Sequence, residues 1–110
     1  MTATSTQSQH PASVNNVALG RYIEVTTAAA FKITLGFKPR YVKVQNVAAS
    51  AVTFEWYEGM AAASAVKTAA AGDKTIVTTN GITVAADGFT LGLDTSINIV
   101  NEQLSWLCLG

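Results

Sequence analysis

The chain has 110 residues, 49% hydrophobic and only 13% charged, with a formal net charge of zero. That length bounds it to one domain able to bury a real core. Zero net charge withholds the global attraction that nucleic acid or an anionic lipid surface draws on. The single cysteine, Cys108, excludes an internal disulfide.

The charged fraction lies well below the usual ~25%. A surface with so few charges repels its neighbours weakly, so part of it is expected to be covered by another chain. The charges are also uneven. Residues 1–43 hold Arg21, Lys32, Lys38, Arg40 and Lys43 against Glu24 alone. Residues 44–110 hold Lys67 and Lys74 against Glu55, Glu58, Asp73, Asp87, Asp94 and Glu102. Either these are ordinary solvated faces, or they form opposite patches that dock on neighbouring copies or a larger lattice. The N-terminus lacks the basic-then-apolar pattern of a secretory signal, and no apolar run reaches the ~20 residues of a membrane span. The expectation is a soluble protein made in the cytoplasm.

In chain order, residues 1–18 (MTATSTQSQHPASVNNVA) are polar and contain nothing that could build a core. They predict a flexible arm that could reach ~60 Å when extended, at ~3.3 Å per residue. Residues 19–110 then form one folded domain. Residues 19–27 (LGRYIEVTT) read as a strand with one apolar and one mixed face. In residues 31–35, Phe31, Ile33 and Leu35 alternate with Lys32 and Thr34. Pro39 fixes the backbone before the next strand and cannot itself sit within a sheet.

The strongest pattern spans residues 40–58. Val42 and Val44 share one face, and Tyr41, Lys43 and Gln45 the other. Val52, Phe54 and Trp56 then alternate with Thr53, Glu55 and Tyr57. Such alternation predicts half-buried strands, joined as antiparallel neighbours by the short segment Ala48-Ala49-Ser50. Residues 59–74 (GMAAASAVKTAAAGDK) show no clean period and are expected to be a loop with at most a helical turn. Residues 74–79 are β-rich. Asn80-Gly81 is a strong hairpin signal, because both residues tolerate positive φ. Residues 82–85 return, Asp87-Gly88 turns, and Phe89, Leu91 and Leu93 alternate. Residues 96–100 are expected to pair, through Asn101-Glu102, with 103–109, where Leu104, Trp106 and Cys108 share a face.

About eight short strands at 8–12-residue spacing predict an all-β fold. The favoured form is an antiparallel β-sandwich, jelly-roll or immunoglobulin-like, preceded by the arm; a compact barrel fits the same pattern.

No catalytic, cofactor-binding or metal site emerges. His10, the lone histidine, lies in the arm, so Cys108 lacks a base partner and reads as a small buried hydrophobe. No His/Cys spacing suits zinc, and Asp73, Asp87 and Asp94 form no calcium loop. Glu55 and Glu58 point to opposite faces and make a poor glycosidase pair. No glycine-rich loop cradles phosphate. Arg21, Lys38, Arg40, Lys43, Tyr22 and Tyr41 could form a basic-aromatic patch for single-stranded nucleic acid, a reading the zero net charge opposes. Trp56 and Trp106 could stack on sugars, but their apolar neighbours favour the core.

Three segments carry a resemblance: FKITLGFKPRYVKVQN at 31–46, VTFEWYEGM at 52–60 and GITVAADGFTLGLDTSINIVNEQLSWLCLG at 81–110. Their order resembles small virion proteins of tailed bacteriophages. The resemblance implies a β-sandwich structural protein and no enzyme. It also implies a capsid decoration, or cement, role on the outer face of the shell. The partners would then be the major capsid protein and the chain itself as a homo-oligomer, a trimer being favoured, with neither nucleic acid nor membrane as partner. The location would be the virion surface after assembly in the host cytoplasm. The alternative is a tail or fibre component that binds a host-surface glycan through Tyr57 and the 59–72 loop.

Overall fold

A computed structural model describes residues 16–25 and 27–110. Residues 1–15, with most of the expected arm and His10, lie outside the described residues.

Eight strands form: β1 (Val17–Ile23), β2 (Phe31–Thr34), β3 (Tyr41–Asn46), β4 (Thr53–Tyr57), β5 (Ser64–Thr68), β6 (Lys74–Ala85), β7 (Gly88–Leu91) and β8 (Gln103–Leu109). All join one antiparallel sheet in the order β1-β8-β3-β4-β5-β6-β7-β2. The predicted central hairpin stands at its middle. Val42 faces Trp56 and Val44 faces Phe54 across β3–β4. On the other side of β3, β8 sets Cys108 beside Val42 and Trp106 beside Val44. Period-two alternation therefore lays one continuous apolar face over neighbouring strands.

That face closes on itself. From the far half of the sheet come Ile82, Phe89 and Leu91, as completely buried as Val42, Val44 and Phe54. Phe89 of β7 meets Trp106 of β8 edge-on, with ring centroids 5.9 Å apart, although the two strands are far apart in the sheet. At the sheet's two edges, Tyr22 of β1 stacks on Phe31 of β2 at 3.8 Å. The result is a curled half-barrel around a single core. Truncating a side chain as buried as Phe54 costs about 3–5 kcal/mol.

A polar clip secures the segment between β7 and β8. Asn46 Nδ2 donates to the Ile97 carbonyl (2.9 Å) and to Glu102 Oε1 (3.1 Å). The Ser50 backbone N–H donates to the same Glu102 oxygen, and Asn98 Nδ2 donates to the Ala29 carbonyl. These bonds satisfy the buried amides and hold Ile97 in the core.

The all-β, antiparallel, eight-stranded expectation agrees with this fold. The division into two sheets does not appear, because hydrogen bonding joins all eight strands into one. Four local expectations differ. The first strand runs Val17–Ile23 rather than over residues 19–27, because β1 pairs with β8 from Val17 to Ile23. The expected 59–74 loop contains β5, which pairs with both β4 and β6. Asn80-Gly81 does not reverse the chain. Asn80 does adopt positive φ (55°), but inside β6, where the pairing jumps from Val77 opposite Ala65 to Ile82 opposite Ser64. The left-handed residue there forms a bulge that bends one long strand. Residues 96–100 are turns rather than a strand, because Ile97 and Asn98 turn into the core through the clip.

Gly20 faces Trp106 across β1–β8, and a Cβ on it would lie 2.6 Å from the indole ring. Gly20→Ala is therefore expected to displace Trp106 and destabilise the fold by about 1–3 kcal/mol. Urea unfolding followed by tryptophan fluorescence measures this; an unchanged midpoint would mean the indole does not depend on that space.

Candidate functional site

The alternation that fills the core also fixes what faces outward. One row of register partners crosses the outer face as Val17, Leu109, Tyr41 and Tyr57. The next row crosses as Leu19, Leu107, Lys43, Glu55 and Val66. Apolar residues gather at the β1 end. Leu19 is 74% exposed and Val17 56%, with Ile23 and Val25 further along the same stretch. Strand β1 is unusual in that its more apolar face looks outward while Tyr22 and Gly20 look in.

Between β1 and β3, over β8, lies a shallow groove of about 560 Å³ bordered by Leu19, Arg21, Lys43, Gln45, Ser105 and Leu107. A second hollow of about 400 Å³ lies among Arg40, Tyr41, Tyr57, Glu58 and Leu109. Beside it, Tyr41 and Tyr57 meet edge-on at 5.1 Å. Both hydroxyls donate to Glu55 Oε2, at 2.6 Å and 3.4 Å. Burial first, and then the bond to Glu55, holds the Tyr41 hydroxyl well above its usual pKa. For Tyr57 the negative charge of Glu55 is the larger cause of the same upward shift.

The sequence candidates scatter. Of the basic-aromatic set, Arg21 and Lys43 border the groove, while Tyr22 turns inward, stacks on Phe31 and donates to Glu24 at 2.8 Å. Arg40 pairs with Glu58 at 3.3 Å while Glu55 accepts from Tyr41, so the two glutamates serve different partners, in keeping with their rejection as a glycosidase pair. Asp73, Asp87 and Asp94 stand in three separate turns. Asp87 pairs with Lys32 at 2.9 Å, and that bond holds its carboxyl below the ordinary range. Asp94 accepts from the Ser96 backbone N–H. No group of three or more potential metal ligands occurs among the described residues.

Trp56 is only 7% exposed and donates to the Ala61 carbonyl. Trp106 packs inside; its Nε1 is the one buried side-chain polar atom without a partner among the described residues. Neither indole is an open platform. Tyr57, by contrast, is half exposed. The apolar surface of β1 was not singled out from the sequence, although Val17, Leu19 and Ile23 carry the signal at strand period. No described helix is long and apolar enough to cross a membrane.

No family model, curated protein or solved structure matches the chain.

Cys108 is fully buried between β1 and β3, and burial pushes its thiol up to about 12. Relative to an ordinary thiol near 9.0, this lowers the reactive thiolate near neutral pH by about a thousandfold. Iodoacetamide at pH 8 is expected to spare the native protein and to label it fully in urea. Native labelling at the rate of a free thiol would contradict this placement.

Proposed function

We propose that this chain is a non-enzymatic structural protein of a tailed-bacteriophage particle, a decoration protein that binds the outer face of the major capsid shell. The observation that carries the reading is the outward apolar surface of β1: Val17, Leu19 and Ile23 on a well-paired, unbroken strand. A strand that points such side chains at solvent needs a partner to cover them. The phage-like segments 31–46, 52–60 and 81–110 supply the kind of particle, and the β1 surface supplies the means of adhesion.

The mechanism is adhesive. Each copy removes apolar area from water at about 25 cal/mol per Å², less the ordering cost. A shell binds many copies at once, so modest contacts sum to resistance against the outward pressure of packaged DNA. The partners in this reading are the capsid protein and further copies of the chain, with no role for nucleic acid or membrane.

One observation favours a second reading. Tyr57 is half exposed beside the hollow that holds Arg40 and Glu58. A tail or fibre protein that binds a host glycan could stack a sugar there. The burial of Trp56 removes the larger platform such a site would use.

Quantitative mass spectrometry of purified virions separates the readings. Hundreds of copies in simple ratio to the capsid protein are expected for decoration. A few dozen or fewer would move the protein to the tail, and absence would overturn both. Leu19→Glu is expected to leave melting unchanged, since Leu19 is 74% exposed. It should weaken attachment by about 2 kcal/mol per copy, roughly thirtyfold, if Leu19 is buried on the shell.

A further inference from the structure

The middle of the outer face differs from its β1 end, and its pattern is self-complementary. Along β3 the outward residues are Tyr41, Lys43 and Gln45. Their register partners on β4 are Tyr57, Glu55 and Thr53. Leu107 flanks Lys43 on β8, and Val66 flanks Glu55 on β5. The row therefore reads apolar, cationic, anionic, apolar. A two-fold axis parallel to the strands, between β3 and β4, would bring every member opposite a fitting one. Lys43 meets Glu55 of the second copy, and Glu55 meets its Lys43. Tyr41 meets Tyr57, Gln45 meets Thr53, and Leu107 meets Val66. No like charges oppose each other among these eight.

We propose that two copies of this chain associate face to face across the β3–β4 ridge, with Lys43 of each paired to Glu55 of the other.

Three observations point to a second copy rather than another occupant. An isologous contact uses the same patch on both subunits, so the patch must complement itself, and this one does. Lys43 and Glu55 are neighbours in register, yet no ion pair joins them, whereas Lys32–Asp87 and Arg40–Glu58 do pair within the chain. Glu55 instead receives both tyrosine hydroxyls on one oxygen, Oε2. Leu107 borders the shallow groove beside Lys43, which leaves room for Val66 of the second copy above it.

The curl makes this face convex, so the contact is confined to β8, β3, β4 and β5. An interface of that width buries on the order of 600 Å² per copy, the low end for a specific pair. The pair is therefore weak and reversible, and it leaves Val17 and Leu19 of β1 open. It stands independently of the capsid reading, because it uses different residues and is measured on the purified protein.

The test is sedimentation equilibrium over a dilution series on wild type, Lys43→Glu, Glu55→Lys and an equimolar mixture of the two variants. Wild type is expected to dimerise reversibly. Each variant alone places like charges opposite each other and should lose at least tenfold in affinity. The mixture restores opposite charges across the contact and should pair again as a heterodimer, which no effect inside one chain would produce. Circular dichroism checks that each variant is folded. Val66→Asp leaves the tyrosine–glutamate cluster intact and should dissociate the pair as well, so the proposal remains testable if Glu55→Lys does not fold. Wild type that is monomeric throughout, or trimeric, overturns the proposal. So does a mixture that fails to pair, or a dimer that survives Val66→Asp.

Discussion

The half-barrel depends on Trp106 crossing the inside of the curl. Its indole lies over Gly20 on the neighbouring strand and meets Phe89 from the far half of the sheet. Without that crossing, Phe89 of the far half would have no aromatic partner on β8. An edge-on aromatic pair adds about 0.5–1.5 kcal/mol beyond the area it buries. Its greater effect is geometric, because a wide aromatic group over a glycine sets how closely the sheet can wrap. The Tyr22–Phe31 stack repeats the arrangement at the sheet edges, where no backbone ladder joins β1 to β2. Side-chain packing therefore completes the enclosure that hydrogen bonding leaves open.

Much of this was legible in the sequence where side chains alternate strongly. The 40–58 hairpin, its inward face and the shared face of Leu104, Trp106 and Cys108 follow from period-two patterning alone, because large apolar residues leave little choice of register. The misread segments are those where the signal is small or shared. Strand β5 contributes Ala65 to the core, and alanine marks a buried position only weakly. Asn80-Gly81 correctly announces a left-handed residue, but positive φ serves a bulge as well as a turn, and only the partner strands decide between them. Residues 96–100 carry strand-like composition, yet the amides of Asn46 and Asn98 bind backbone carbonyls distant in sequence and hold the segment as turns.

The surface was less legible than the core for a related reason. Strand β1 has one strongly apolar and one mixed face, and sequence alone does not say which one the sheet buries. Gly20 settles it, since the glycine side must accept Trp106, and Val17, Leu19 and Ile23 are then left outside. The opposite edge is treated differently. Strand β2 is four residues long and turns Lys32 outward, where it pairs with Asp87. A short, charged edge resists unplanned strand pairing. The two edges of one sheet thus differ in how they meet solvent, and only β1 presents a long apolar margin.

The position of β8 has a consequence for how the chain is made. In chain order β8 follows the other seven described strands, yet it inserts between β1 and β3 and pairs with both along its length. Until it arrives, β1 has no ladder and the inner face of β3 has one open flank. The enclosure is therefore a late event, and contacts so distant in sequence slow folding. A growing chain holds one flank of β3 unpaired until β8 has emerged. The interval between translation and closure, rather than the stability of the finished barrel, is when this protein is most open to misassembly.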